Sequence, residues 1–159
     1  LGLRIRVSSQ LGRGSVFAIE VPQGKANAAR AVEQAPQAAL RVALVEDDEL
    51  LLGALEQSLQ EAGHQVVPAS SSAELLERLG DEAPALVISD YRLARGETGF
   101  DVVNAVRTRF GPAIPALLIT GDTDPKLMRD MAARDVRVFH KPMSLEALKR
   151  AVGELGAKA

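Results

Sequence analysis

Between residues 41 and 155, five short apolar runs alternate with segments of helical period, and that alternation constrains the fold more than anything else in the chain. The runs are Val42-Ala43-Leu44-Val45, His64-Gln65-Val66-Val67, Ala85-Leu86-Val87-Ile88, Ile114-Pro115-Ala116-Leu117-Leu118-Ile119 and Val136-Arg137-Val138-Phe139. Most are continuously apolar, as strands covered on both faces of a parallel sheet are. The weaker runs at 64–67 and 136–139 suit the sheet edges. The helical faces between them are Leu51, Leu55, Ser58, Leu59 and Ala62; then Leu75, Leu76 and Leu79; then Phe100, Val103, Val106 and Phe110; then Leu127, Met128 and Met131; then Leu145, Leu148, Val152 and Leu155. Ser71 with Glu74 forms a capping-box pattern, Gly111-Pro112 stops the third helix, Asp124-Pro125 opens the fourth, and Ser144 caps the fifth. Five strands and five helices in strict alternation predict right-handed crossovers and a doubly wound α/β fold around a five-stranded parallel sheet.

The first 40 residues differ in character. Leu3-Arg4-Ile5-Arg6-Val7 and Val16-Phe17-Ala18-Ile19-Glu20-Val21 flank the turn chemistry of Leu11-Gly12-Arg13-Gly14, and Pro22 closes the second run. This predicts a hairpin over residues 1–22, and a lone hairpin is marginal in water. Residues 23–40 are rich in Ala and Gln with Pro36 inside, and are expected to be a linker with a helical stretch across 26–35.

Composition excludes several classes of function. There is no cysteine, hence no disulfide, thiolate nucleophile or Cys-based zinc site. His64 and His140 are the only histidines and have no metal-ligand spacing. Nineteen basic and twenty-one acidic residues give a net charge of −2, which argues against direct nucleic-acid binding, and an aromatic content of 3% without Trp leaves no base-stacking platform. No apolar run reaches the roughly 18 residues of a membrane span, and the N-terminus shows no basic-then-apolar signal pattern.

In an open parallel sheet, ligands bind beyond the carboxyl ends of the strands. The first strand ends in Glu46-Asp47-Asp48-Glu49, the third in Ser89-Asp90, the fourth in Thr120-Gly121 and the fifth in His140-Lys141-Pro142; the second, ending in Pro68-Ala69, offers nothing reactive. Clustered carboxylates repel unless a hard cation binds them, and Mg²⁺ takes such oxygen ligands together with phosphate oxygens. Lys and Thr suit the holding of phosphoryl oxygens, and a carboxylate can be a covalent nucleophile toward phosphorus. These residues point to Mg²⁺-dependent phosphoryl transfer to Asp90. The plainer alternatives are a solvated acidic helix start at 46–49, a cap at Asp90, a turn Thr120 and a surface Lys141. His64 is expected on the edge-strand surface, His140 in a structural or surface role, and Met128 and Met131 in packing. Arg92 and Arg95 suit a partner contact or a solvated loop equally.

The ordered set Glu46-Asp47, Asp90, Thr120-Gly121 and Lys141-Pro142 resembles the receiver (response-regulator) domain family over residues 41–155. The resemblance implies a flavodoxin-like strand order 2-1-3-4-5 and transfer of a phosphoryl group from phosphohistidine to Asp90. It implies that Asp90 and Asp47 bind Mg²⁺ directly, that Glu46 assists through water and that the Arg92 carbonyl is a further ligand. Thr120 would hydrogen-bond the phosphoryl group, Lys141 would pair with it, and the Lys141–Pro142 bond would be cis. The readout surface would be the fourth helix, fifth strand and fifth helix. Val138 stands where the family often has an aromatic, with Phe139 beside it; Ala94 stands at a usual proline; and the Arg92–Thr98 loop departs from the family pattern.

A second resemblance covers residues 1–22. Val7-Ser8-Ser9-Gln10-Leu11-Gly12-Arg13-Gly14-Ser15-Val16-Phe17 with Val21-Pro22 is similar to the last hairpin of a histidine-kinase ATP-binding domain. Together the two imply the C-terminal part of a hybrid histidine kinase, cytoplasmic here, membrane-associated as a whole and dimeric through its kinase core. The implied partners are that core or a His-phosphotransfer domain as phosphoryl donor. This portion would catalyse only transfer to its own Asp and dephosphorylation. The competing reading is a phosphorylation-independent docking module that regulates the kinase core. A haloacid-dehalogenase-like phosphatase needs a second acid two residues after its nucleophile, where Arg92 stands.

Overall fold

The computed structural model describes residues 4–10, 14–20, 39–122, 124, 129–131 and 134–157. The chain divides into two compact units, Leu1–Pro36 and Gln37–Ala159. In the first, β1 (Arg4–Gln10) and β2 (Gly14–Glu20) pair antiparallel, with Ile5 opposite Ile19 and Val7 opposite Phe17. The strands extend further toward the turn than the apolar pattern alone predicts, because Ser8, Ser9 and Gln10 continue the ladder opposite Val16, Ser15 and Gly14. The helical stretch expected across 26–35 lies outside the described residues.

The second unit holds β3 (Arg41–Val45), α1 (Glu49–Glu61), β4 (Gln65–Ala69), α2 (Ser72–Leu79), β5 (Leu86–Asp90), α3 (Gly99–Phe110), β6 (Ala116–Thr120), β7 (Arg137–His140) and α4 (Leu145–Gly156). The sheet is parallel throughout in the order β4-β3-β5-β6-β7. Counting only its own five strands, that is 2-1-3-4-5, with the two weaker runs at the edges. Successive residues of the central strands feed opposite faces. Ala43, Val45, Val87, Ala116 and Leu118 pack with Leu75 and Leu79 of α2 and Val103 and Val106 of α3. Val42, Leu44, Leu86, Ile88, Leu117 and Ile119 pack with Leu55 and Leu59 of α1 and Leu148 and Val152 of α4. Burial on both faces explains why these runs are apolar without alternation.

Of the fourth helical period, Leu127 and Met128 lie outside the described residues, while residues 129–131 are helical and Met131 is fully buried. Ala62 is exposed, because α1 ends at Glu61 and Ala62 is its C-cap. The Ser71 hydroxyl accepts from the Glu74 amide at 3.4 Å, but the Glu74 carboxylate turns back to the Ser70 amide and hydroxyl, each at 2.7 Å. A complete capping box forms instead at Thr98 and Asp101, at the start of α3.

His64 corrects the expectation of a surface residue: it is only 5% exposed. It precedes β4, donates its amide to the Leu59 carbonyl at 3.1 Å, and its Nδ1 accepts from the Leu40 amide at 3.4 Å. Burial lowers its pKa, so folding favours the neutral ring. That contribution is complete above the ordinary histidine pKa near 6.5 and is lost as pH falls below it. Urea unfolding of His64→Asn, which keeps an acceptor for Leu40, is expected to show a smaller stability loss than wild type between about pH 6.5 and pH 5.

Candidate functional site

The carboxyl ends of β3, β5, β6 and β7 open onto one rim, and each delivers the polar residue expected there. Glu46 follows β3 and is 2% exposed. It is held by its own amide, which donates to the Ala69 carbonyl at 3.1 Å, and by the Asp48 amide, which donates to its Oε1 at 3.4 Å. Asp47 is exposed beside it. Asp90 ends β5; its Oδ1 accepts the Tyr91 amide at 2.8 Å and its Oδ2 meets Lys141 Nζ at 2.9 Å. The same Nζ lies 3.4 Å from Glu46 Oε2. Lys141 is set by β7: its amide donates to the Thr120 carbonyl at 2.8 Å, which extends the β6–β7 ladder by one bond. The Lys141–Pro142 bond is cis. Thr120 is buried at the end of β6, and its hydroxyl accepts the Asp122 amide at 3.0 Å.

Glu46, Asp47 and Asp90 each present a carboxylate oxygen within 4.8 Å of the others. Three carboxylates face one ammonium. Burial, and after it the charge of Asp90, raises the Glu46 pKa; Lys141 and the Asp48 amide pull the other way without cancelling this. For Lys141, burial alone would lower the pKa, but the hydrogen bond and charge of Asp90, followed by those of Glu46, outweigh it and the net shift is upward. The site thus holds an ammonium that is hard to discharge and an excess of hard oxygen donors, which is a donor set for a small divalent cation.

Asp90, Arg92, Thr120, Gly121, Asp122 and Lys141 line an open cavity of about 400 Å³ beside this cluster. Arg92 pairs with Thr98 in an isolated antiparallel bridge and extends its guanidinium to Asp122 at 2.6 Å. The loop between them contains one 3-10 turn, Ala94–Gly96, with Arg95 at φ 60, and is anchored by the buried Leu93. Gly99 closes the floor: a Cβ there would lie 2.7 Å from the Asp90 carbonyl and 2.7 Å from Leu118 Cδ2, so α3 starts against β5 only with glycine. Val138 packs on the α2–α3 side of the sheet, whereas Phe139 packs on the α1–α4 side with the Arg137 guanidinium 5.5 Å from its ring centre. By strand alternation Thr120 faces the Val138 side, so Phe139 is on the wrong face to respond to it.

Asp122 is the site residue that the sequence reading missed. The signal was present: it lies two residues beyond Thr120, on the strand end already singled out. The sequence showed that Arg92 and Asp122 follow different strands; only the β5–β6 pairing brings them into contact. No helix among the described residues is long and apolar enough to cross a membrane.

Comparison with known proteins identifies the family and the fold. A family model described as the response regulator receiver domain matches residues 42–153. The sensor histidine kinase AruS of Pseudomonas aeruginosa is 30% identical over 161 aligned positions, covering 98% of this chain and 16% of that kinase. The response regulator protein FleR of the same organism is 38% identical over 126 positions, covering 74% of this chain and 26% of that protein. The chain therefore spans about a sixth to a quarter of the length of these relatives. Among solved structures, the chemotaxis protein CheY4 of Vibrio cholerae superposes with a TM-score of 0.67 at 27% identity, covering 74% of this chain and 99% of that one. A receiver domain protein of Clostridium thermocellum, at 20% identity and a TM-score of 0.66 over 75% of this chain and 95% of its own, shares the fold.

Proposed function

Since the chain belongs to the response regulator receiver domain family of two-component signalling, we propose that Asp90 is its phosphoryl acceptor and that a phosphohistidine is the donor. The observation that carries this reading is the position of Asp90: at the end of β5, 2.9 Å from Lys141 Nζ, with the Glu46 and Asp47 carboxylates beside it. An Asp90 oxygen attacks phosphorus, the phosphorus–oxygen bond forms, and the phosphorus–nitrogen bond to the donor histidine breaks. The transition state is loose, so catalysis is alignment and charge neutralisation. Lys141 neutralises phosphoryl oxygens as a point charge. The Thr120 hydroxyl, which accepts the Asp122 amide, keeps its proton to donate to a phosphoryl oxygen. Asp47, Asp90 and the Arg92 carbonyl would hold Mg²⁺, with Glu46 assisting through water, and the ion would supply the remaining neutralising charge.

The chain is further read as part of a hybrid histidine kinase: residues 1–22 the terminal hairpin of an ATP-binding domain, 23–40 a linker and 41–155 the receiver. What supports this is coverage. The alignment with the sensor kinase runs over 98% of the chain and so includes nearly all of the first 40 residues, whereas that with FleR covers 74%. The partners in this reading are the kinase core or a His-phosphotransfer domain, with dimerisation through the core; the receiver works in the cytoplasm and the whole protein is membrane-associated.

The test is to label the 159-residue chain with radiolabelled acetyl phosphate and Mg²⁺, reduce the acyl phosphate with borohydride and locate the product by mass spectrometry. The expected result is one modified position, Asp90, and no label when the metal is chelated. Label on His140 or on another carboxylate would overturn the assignment.

A further inference from the structure

The Glu97 side chain ties the loop after Asp90 to α2. Its two carboxylate oxygens accept the backbone amide of Ser72, at 3.2 Å and 3.3 Å, across 25 positions of sequence. We propose that Glu97 is a positioning residue for the metal site, which holds the Arg92 carbonyl at a fixed separation from the Asp47 carboxylate. The inference rests on the reading above that Asp47, Asp90 and the Arg92 carbonyl would hold Mg²⁺.

β4 and β5 lie on either side of β3, so a bond from the loop after β5 to the helix after β4 spans the β3 end that carries Asp47. A cavity of about 770 Å³ there is lined by Asp47 and Ser70 and by Ala94, Gly96 and Glu97 of the loop. The loop closes on itself: Arg92 bridges to Thr98, the Leu93 amide donates to the Glu97 carbonyl at 3.0 Å, and the Glu97 amide donates to the Ala94 carbonyl at 3.3 Å. The Leu93 amide and the Arg92 carbonyl belong to one planar peptide unit, so fixing the amide fixes the carbonyl. The Glu97 backbone is therefore one hydrogen bond from the peptide unit of the expected ligand atom. Arg95 at φ 60 and Gly96 at φ 80 make the turn that brings Glu97 back, and a non-glycine residue keeps such an angle only where its surroundings hold it.

α2 has local caps of its own. The Ser71 hydroxyl accepts the Glu74 amide, and the Glu74 carboxylate accepts the Ser70 amide and hydroxyl. Glu97 adds a long-range bond where short-range capping is already in place. A carboxylate on an amide of a helix's first turn is charge-assisted and favoured by the helix dipole, and Glu97 and Ser72 are both half-buried. The tether is thus firmer than a solvated side-chain contact. Mg²⁺ demands near-ideal octahedral geometry, so a ligand atom held in place beforehand raises affinity and a loose one lowers it.

The experiment titrates the 159-residue chain with magnesium chloride and follows the backbone amides by NMR in wild type, Glu97→Gln, Glu97→Ala and Ser71→Ala. The Leu93 amide reports coordination at the Arg92 carbonyl, and the Asp47 and Tyr91 amides report the carboxylates. Glu97→Ala is expected to weaken Mg²⁺ binding about three- to tenfold, less than the loss usual for a group bonded directly to a ligand, because Glu97 acts through the backbone. It is also expected to shrink the Leu93 response relative to that of Tyr91. Glu97→Gln keeps an acceptor for the Ser72 amide and is expected to bind within about twofold of wild type, since salt screens what the charge adds. Ser71→Ala, which removes a local cap of α2, is expected to leave the affinity unchanged. Binding in Glu97→Gln as weak as in Glu97→Ala would overturn the tether, because the carboxylate would then act through its charge. Ser71→Ala weakening binding as much as Glu97→Ala would do so too, because the stability of α2 would then be the cause. Unchanged binding in Glu97→Ala has the same consequence. A wild type whose Asp47, Tyr91 and Leu93 amides do not move with Mg²⁺ would instead remove the metal reading itself.

Discussion

Asp90→Asn is expected to abolish hydroxylamine-sensitive phosphoryl labelling, a loss beyond about 10³-fold, because the attacking oxygen itself is gone. The substitution keeps the shape of the side chain and an acceptor for the Tyr91 amide, so the β5 end holds its place. Removing the Asp90 charge also takes away the second cause that raises the Glu46 pKa, and NMR titration is expected to find Glu46 nearer the ordinary carboxylate value in the variant. The two readouts separate a missing nucleophile from a collapsed site. Labelling of the variant at the wild-type level would refute the acceptor assignment, whatever the titration gives.

Lys141→Met is the second large effect, and it falls on function and stability together. Phosphotransfer is expected to drop about 10²–10³-fold, the usual consequence of losing one preorganised charge at a reacting centre. Stability is expected to drop by about 2 kcal/mol at neutral pH, below the roughly 3–5 of a fully buried pair because Lys141 keeps contact with water. The cause is Glu46, whose side chain is 3% exposed and which would keep a buried charge without its counter-ion. In the variant the Glu46 pKa rises further, and a raised folded-state pKa means stability that is lost as pH rises. The deficit is therefore expected to shrink as pH falls toward the ordinary glutamate value near 4.5. In wild type the Lys141 pKa is raised, so its contribution is complete below about 10.5 and lost only as pH climbs through the higher folded-state value. Urea unfolding across pH checks both slopes; a deficit independent of pH would refute the role given to Glu46.

The contrast between Ser71 and His64 shows how far the chain could be read without coordinates. Ser71 caps α2 as its spacing from Glu74 predicts, because capping is a contact within four residues. His64 was misplaced because its burial depends on Leu40, 24 residues away, which no local pattern reports. The same division runs through the site. Glu46, Asp90, Thr120 and Lys141 were identifiable because each ends a strand, and parallel strands align their ends on one rim. Asp122 lies two residues beyond Thr120 and so was within reach of the same argument, but its contact with Arg92 depends on the neighbouring strand end, which the sequence does not place.

The sequence by itself determined the alternation of strand and helix, the doubly wound parallel sheet and the identity of the four strand-end residues, since all of these follow from local periodicity and from strand direction. Only the tertiary structure decided how those residues meet. Lys141 reaches Asp90 and Glu46 together, 51 and 95 positions away, because β3, β5, β6 and β7 lie in register at about 4.8 Å spacing. Gly99 is required because α3 starts 2.7 Å, measured from its absent Cβ, from the Asp90 carbonyl. The Arg92–Asp122 pair exists because β5 lies beside β6. Periodicity is a property of neighbours along the chain, whereas a charge is stabilised or exposed by whatever the sheet brings beside it.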